Sequence, residues 1–322
     1  MNTTTTTAPS GLPESFIVIR TFFIVIIGLL IISGNILSIA VVRGVSTLAD
    51  STKVLLTTLS LYDLTVGIIS LLSVVPSATE SVVPSATEKW VYGQFVCEVV
   101  AVVTYASFMM SILSVSFLNI ERYIAVTRPY KFPIWCTRRR FIMLVVFASC
   151  FSFCWPIGIK LIFGVNSVFL KAPVVCLLEH SSAIVDILNL IFGDIGPVTT
   201  MFFVYYRIIK VSKRQDLQLN RNRQKKAQAD QEKMLKTFLI VTVIFAICYT
   251  PNFVTYVVTT LMGVTPPPII EWVVVWLTIS NSMFNVFIYC LFNESFRQVA
   301  KRIVMGRFVC CKRSVAPVDI EL

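Results

Sequence analysis

FVCEVVAVVTYASFMMSILSVSFLNIERYIAV, residues 95–126, decides how the rest of the chain is read. From Val99 to Ile120 it carries no charged side chain, and it then closes on Glu121-Arg122-Tyr123. An uncharged run of that length matches the roughly 20 apolar residues a helix needs to cross a bilayer. At 1.5 Å per helical residue, Cys97 and Arg122 stand about 37 Å apart. One helix thus carries a cysteine at one membrane face and a charged pair at the other. Ionisable groups near a membrane core are costly and mark function by default.

The whole composition agrees. Of 322 residues, 56% are hydrophobic and 14% charged, with a mean hydropathy of +0.80. A soluble domain carries about 25% charged residues. Apolar blocks at 16–42, 54–75, 95–126, 141–163, 184–211, 234–264 and 272–291 predict an all-α membrane protein, a seven-transmembrane helix bundle. The first and sixth blocks exceed one bilayer, which implies tilt or helical extensions.

Basic residues set the orientation. With the N-terminus outside, Arg20, Lys89, Lys160 and Lys171 fall on the outer side and the other 24 of 28 lysines and arginines inside. The net charge of +11 is then a topology signal and a membrane-facing surface rather than a nucleic-acid site. Residues 1–15 are polar and threonine-rich and do not read as a cleavable signal, so the first span serves as its own insertion signal. The division expected is an outer tail 1–15, a seven-transmembrane domain 16–291, an amphipathic helix 292–304 and an inner tail 305–322. Asn2-Thr3-Thr4 fits a glycosylation sequon in the outer tail.

The longest inner loop, 212–231, reads as a solvated helical extension or a linker. In 292–304, Phe292, Phe296, Val299 and Ile303 alternate with Arg297, Lys301 and Arg302, a short amphipathic helix on the membrane surface. Cys310 and Cys311 follow, as a palmitoylation pair or two free thiols. The octapeptide 73–80 is repeated at 81–88, with Pro76 and Pro84 expected to break the helix. It lengthens an outer loop or forms a lid. Cys97 and Cys176 both map to the oxidising side and can pair in a disulfide. Cys150, Cys154, Cys248 and Cys290 read as small apolar packers, and Cys136 as a reduced inner thiol.

Seven spans, the cysteine pair and Glu121-Arg122-Tyr123 together resemble the rhodopsin-like family of G-protein-coupled receptors, over nearly the whole chain. The resemblance rests also on Gly34-Asn35, Leu59-Ser60-Leu61-Tyr62-Asp63, Arg128-Pro129, Pro197 with Tyr205, Phe245, Cys248-Tyr249-Thr250-Pro251, Asn281-Ser282, Asn285-Val286-Phe287-Ile288-Tyr289 and Phe296-Arg297. It implies a coupling face built on Glu121, Arg122, Tyr123, Pro129, Tyr205, Asn285 and Tyr289. It implies an activation core of Ile112, Pro197, Phe245, Tyr249 and Pro251, with Pro251 as the hinge of the sixth helix.

Asp63 is a carboxylate midway along an apolar helix, so it needs partners or a proton. Asn35, Ser111, Asn281, Ser282 and Asn285 can supply them. By resemblance this is a sodium site; otherwise it is a watery polar knot that fixes packing. The chain also departs from the family. Gln231 stands where the sixth span usually has an acid, Tyr249 where it usually has Trp, and Val286 where the seventh usually has Pro. Ser149 replaces the usual Trp of the fourth span, with Trp155 arriving later. A weaker lock on Arg122, with basal activity, is the expectation.

The resemblance places a ligand pocket among Thr104, Tyr105, Phe108, Asn189, Gly193, Tyr249, Phe253, Trp276 and Ile279. Thr104 stands where amine receptors carry a third-span Asp, which demotes monoamines. Ile279 stands where opsins carry a Schiff-base lysine, which excludes covalent retinal. Asp194 is deep enough to bind a cationic ligand or to be protonated and structural, and Asp186 accompanies it. His180, the only histidine, reads as a solvated loop residue rather than a pH or metal site.

No nucleophile–base constellation points to an enzyme, and no cofactor is implied beyond the sodium ion. The leading reading is a plasma-membrane receptor for an extracellular small molecule or short peptide, acting on a heterotrimeric G protein. A non-coupling scaffold or heteromer partner is the alternative. A transporter is remote, because seven spans do not halve into repeats. Ile320-Glu321-Leu322 could dock in a PDZ groove or be a disordered tail.

Overall fold

The computed structural model describes residues 13–46, 48–79, 90, 92–178, 183–189, 191, 196–218 and 222–306. Asn2, the second copy of the octapeptide, His180, Gly193, Asp194, Cys310, Cys311 and the C-terminal tripeptide lie outside them. So do the side chains of Asp186, Pro197, Tyr205 and Gln231.

The element order is α1 (Glu14–Gly44), α2 (Asp50–Thr79), α3 (Gly93–Thr127), α4 (Phe132–Trp135), α5 (Arg138–Phe163), β1 (Ser167–Leu170), β2 (Val175–Leu178), α6 (Ala183–Asn189), α7 (Gly196–Gln218), α8 (Asn222–Met262), α9 (Pro268–Phe292) and α10 (Glu294–Gly306). Six of the described helices are long and apolar enough to cross a membrane: α1, α2, α3, α5, α8 and α9. The apolar block 184–211 carries α6 and the first part of α7, with 190 and 192–195 outside the described residues. Pro197 sits in the first turn of α7, where a missing N–H is tolerated. Each long helix turns leucine, isoleucine, valine and phenylalanine outward, because lipid takes the place of a core.

Helix packing explains several sequence features. α1 crosses α2 closely through Gly28 and Gly67. A Cβ at 28 would lie 2.7 Å from Leu71 Cδ2, and one at 67 would lie 2.8 Å from Ile31 Cγ2. Small residues permit such backbone approach inside a membrane. α8 continues towards the chain's basic segment, so most of the 212–231 loop is helical extension. Two expectations are corrected. Pro76 does not end α2, which runs to Thr79. Its missing N–H frees one carbonyl of the preceding turn, a local cost that does not by itself stop the helix. Cys150 and Cys154 are exposed rather than packed, on the outward face of α5, while Cys248 is buried in the core.

β1 and β2 form an antiparallel hairpin between α5 and α6, an element the all-α expectation lacked. Its register pairs Ser167 with Leu178 and Leu170 with Val175. The disulfide Cys97–Cys176 ties β2 to the start of α3, with Cα atoms 5.4 Å apart. At the other end of the bundle, α10 starts where α9 stops at Asn293. The Asn293 side chain accepts the Phe296 amide at 3.1 Å and caps the new helix. Phe296 and Ala300 turn inward onto the bundle, with Phe296 5.9 Å from the Tyr289 ring. The amphipathic helix thus falls at 294–306, two residues later than the sequence suggests.

Candidate functional site

At the α10 end, α3 delivers Glu121 and Arg122 to a closed polar site. Glu121 is fully buried and Arg122 is 7% exposed. The guanidinium lies 3.7 Å from the Glu121 carboxylate. Two hydroxyls from the first turn of α2 complete the site. Ser51 donates to Glu121 Oε1, and Thr52 Oγ1 donates to both carboxylate oxygens at 2.8 and 3.1 Å. Arg122 Nη2 in turn donates to Thr52 Oγ1 at 2.6 Å. Charge-assisted bonds of this kind are about twice as strong as neutral ones. The sequence reading had Glu121 and Arg122 but not Ser51 and Thr52. Its hydropathy block began at Val54, whereas the helix begins at Asp50.

Beside this latch, α4 carries Trp135 under two cations, Arg128 at 5.4 Å and Lys131 at 5.2 Å. Pro129, Tyr130 and Ile134 are exposed on the same inner corner. Cys136 is buried behind them. Burial, with the Glu121 carboxylate adding to it, pushes its thiol up to about 11, so it stays protonated and unreactive at neutral pH.

Midway along the bundle, Asp63 is fully buried. Ser282 Oγ donates to its Oδ1 at 2.9 Å, and Asn285 Nδ2 donates to its Oδ2 at 3.0 Å. Ser111 is buried within reach of the same carboxylate. Asn35 donates to the backbone carbonyls of Ile31 and Ser282, and its own buried Oδ1 has no partner among the described residues. The Nδ2 of buried Asn281 likewise has no partner among the described residues. All six residues named from sequence for the polar cluster are buried at this level of the bundle. The cluster gathers one carboxylate, hydroxyl oxygens and carboxamide oxygens, donor types that suit a small hard cation.

The activation-core residues meet partly. Ile112, Phe245 and Tyr249 share one apolar cluster. The Phe245 and Tyr249 rings stack with centroids 4.1 Å apart. Thr278 of α9 donates to the Cys248 carbonyl at 3.3 Å, just before Pro251. Pro251 lies within the long α8, as a hinge would.

At the hairpin end, the expected ligand residues form two groups. Asn189 Oδ1 accepts the Tyr105 hydroxyl at 3.0 Å and the Trp155 indole at 2.9 Å, joining α3, α5 and α6. Trp155 was missed as a site residue because its position falls outside the family spacing. Phe108, Trp276 and Ile279 instead belong to an apolar cluster with Val174 and Val175 of the hairpin. Thr104 is buried, and its hydroxyl has no partner among the described residues. Phe253 is half-buried. A separate apolar groove of about 720 Å³ opens outward between α7 and α8, lined by Phe202, Ile247, Thr250 and Val254. It contains none of the expected ligand residues.

Relatives fit this geometry. Trace amine-associated receptor 1 of Macaca mulatta is 28% identical over 240 residues, 68% of this chain and 69% of its own. Trace amine-associated receptor 7b of Mus musculus is 26% identical over 300 residues, covering 86% and 80%. The crystal structure of squid rhodopsin superposes with a TM-score of 0.76 at 21% identity, covering 98% of this chain and 94% of that one. That likeness establishes the seven-transmembrane fold. The relatives are receptors, not enzymes. The family described as 7 transmembrane receptor (rhodopsin family) matches residues 34–289, and the chain belongs to it.

Proposed function

We propose that the chain is a plasma-membrane receptor with its N-terminus outside, which binds an extracellular small molecule or short peptide at the hairpin end. Binding shifts the bundle towards a state whose α10 end accepts a heterotrimeric G protein. The observation that carries this reading is the Glu121–Arg122 latch on Ser51 and Thr52. It is a buried cation held by a neighbouring carboxylate and by the next helix, and small helix shifts can release it. Pro251 supplies the hinge, and Tyr205 and Tyr289 are the tyrosines that move inward. The division into outer tail, bundle, α10 and inner tail follows from this orientation, as do glycosylation at Asn2 and palmitoylation at Cys310 and Cys311.

The test compares G-protein activation by wild type and Arg122→Ala across G-protein subtypes, at matched surface expression. We expect a basal or ligand-driven signal that falls at least tenfold in the variant. A signal unchanged by the substitution would remove Arg122 from coupling. No signal from either protein under a broad ligand screen would favour the non-coupling scaffold.

An amine ligand is the second reading, favoured by the names of the relatives. An ammonium at Thr104 would face a neutral, buried hydroxyl, and the sequence offers Asp194 of the fifth apolar block as the counter-ion of this reading. Arylalkylamines in the same assay decide it. Activation that is lost in Asp194→Asn supports the amine, and inactivity supports a ligand without a cationic head.

The polar cluster suits a sodium ion held by Asp63 with oxygens from Ser111, Ser282 and Asn35. The ion would neutralise the buried carboxylate. We expect sodium chloride to raise the melting temperature of the purified receptor more than choline chloride does, and Asp63→Asn to abolish the difference. Equal stabilisation by both salts would favour the hydrated polar knot.

A further inference from the structure

The turn between β1 and β2 is built as an occupant rather than as a loop. Lys171 is exposed, but Ala172, Pro173, Val174 and Val175 are all buried. Three successive carbonyls of this turn are taken by side chains from two transmembrane helices. Arg20 of α1 donates through Nη1 to the Lys171 carbonyl at 2.5 Å and to the Ala172 carbonyl at 3.2 Å. Trp276 of α9 donates through its indole N–H to the Pro173 carbonyl at 2.9 Å. Both donors are buried to within 1% of full burial. Indole and guanidinium can only donate, so they match a run of backbone carbonyls and nothing that donates in return.

The apolar surroundings match as well. Val174 and Val175 pack in one cluster with Ile24 and Ile31 of α1, Val66 of α2, and Val274 and Ile279 of α9. Phe23 and Trp272 close the α1–α9 side, 5.1 Å apart and edge to face. Val174 also holds φ 58°, a left-handed conformation unusual for a β-branched residue. Such a conformation persists where its surroundings over-determine it. Here the carbonyl clamps lie just before it and the Cys176 disulfide lies two residues after it.

We propose that the crevice between the outer ends of α1, α2 and α9 is a binding site for a turn of peptide backbone, filled in cis by residues 171–174 of the chain's own hairpin. The site's donors are Arg20 and Trp276. The hairpin tip shares its cluster with Phe108, Trp276 and Ile279, so it fills the α9 side of the expected ligand pocket. The Tyr105–Asn189–Trp155 side lies outside that cluster. A ligand entering the α9 side must displace the tip and offer acceptors over an apolar body. A cationic head is disfavoured there by the Arg20 guanidinium. This ligand class rests on the receptor reading. The occupancy does not, and it can be measured without ligand or G protein.

The experiment labels an Ala172→Cys receptor on intact cells with a membrane-impermeant maleimide. Lys171→Cys serves as the exposed control. We expect Cys at 172 to be protected in the otherwise unchanged chain. Its labelling rate should rise at least tenfold when Trp276→Phe or Arg20→Gln is added, because each removes donors to the tip. Rapid labelling of both positions without the second substitution would overturn the occupancy. Protection that survives both second substitutions would overturn the clamp. Should the cysteine variants fail to reach the surface, hydrogen–deuterium exchange on the purified receptor reads the same quantity. Segment 171–176 should exchange slowly in the native sequence and at least tenfold faster in Trp276→Phe. Equal exchange would overturn the proposal.

Discussion

Glu121→Ala is expected to destabilise the receptor by about 3–5 kcal/mol, the range for breaking a buried ion pair by removing one partner. The cost comes from what stays behind. Arg122 keeps its charge at 7% exposure with the facing carboxylate gone. Ser51 and Thr52 lose the acceptor they both use, and each orphaned buried donor adds about 1–3 kcal/mol at most. Glu121→Gln separates shape from charge. Its carboxamide oxygen can still accept from the two hydroxyls, so little stability should be lost, but it no longer holds the guanidinium electrostatically. Both variants should raise basal G-protein activation, because Arg122 loses the carboxylate that helps hold it beside Thr52 of α2. Only the alanine should markedly lower the melting temperature of the purified protein. If Glu121→Gln leaves basal activation at the wild-type level, the latch does not restrain Arg122, and the idea fails. Thr52→Val tests the second arm, since it removes the hydroxyl that bridges both charged side chains.

The latch also marks where sequence reading stops. The apolar runs are long and the charges sparse, so the bundle and both of its polar centres could be located without coordinates. Asp63 and Arg122 stand out because they are costly in a membrane. Their partners are not costly, and so carry no signal. Ser51 and Thr52 follow Asp50 at the start of α2, where hydroxyls commonly cap helices. Nothing local says that they face α3 instead. The hairpin was the largest omission. Lys171-Ala172-Pro173-Val174 reads as an ordinary turn, and Arg20 reads as one more outer-side cation. Their relation spans about 150 residues of sequence and is fixed by how α1 packs in the bundle, which neither local stretch reveals. Cys97–Cys176, by contrast, was legible, because topology and redox compartment limit which cysteines can meet.

That disulfide carries the second large expectation. It closes a loop of 79 residues, and the chain-entropy model assigns about 4–5 kcal/mol to a loop of that length. Cys97 and Cys176 are 1% and 0% exposed, so serine at either place also buries a hydroxyl in an apolar cluster with Ala101. Cys97→Ser and Cys176→Ser should each sharply reduce surface expression and lower the melting temperature of what is recovered. The diagnostic quantity is additivity. Two residues joined by one bond lose that bond once, so the double variant should be no worse than the worse single variant. It should be better if the lone thiol left in each single variant mispairs during folding. Costs that add in the double variant would mean two independent packing defects and no shared bond. The hairpin tip gives an independent readout in the recovered double variant. Without its covalent tether, segment 171–176 rests on the Arg20 and Trp276 bonds, its pairing with β1 and the packing of Val174 and Val175. Its exchange should then accelerate ahead of the transmembrane helices, so the outer end loosens first while the Asp63 cluster remains intact.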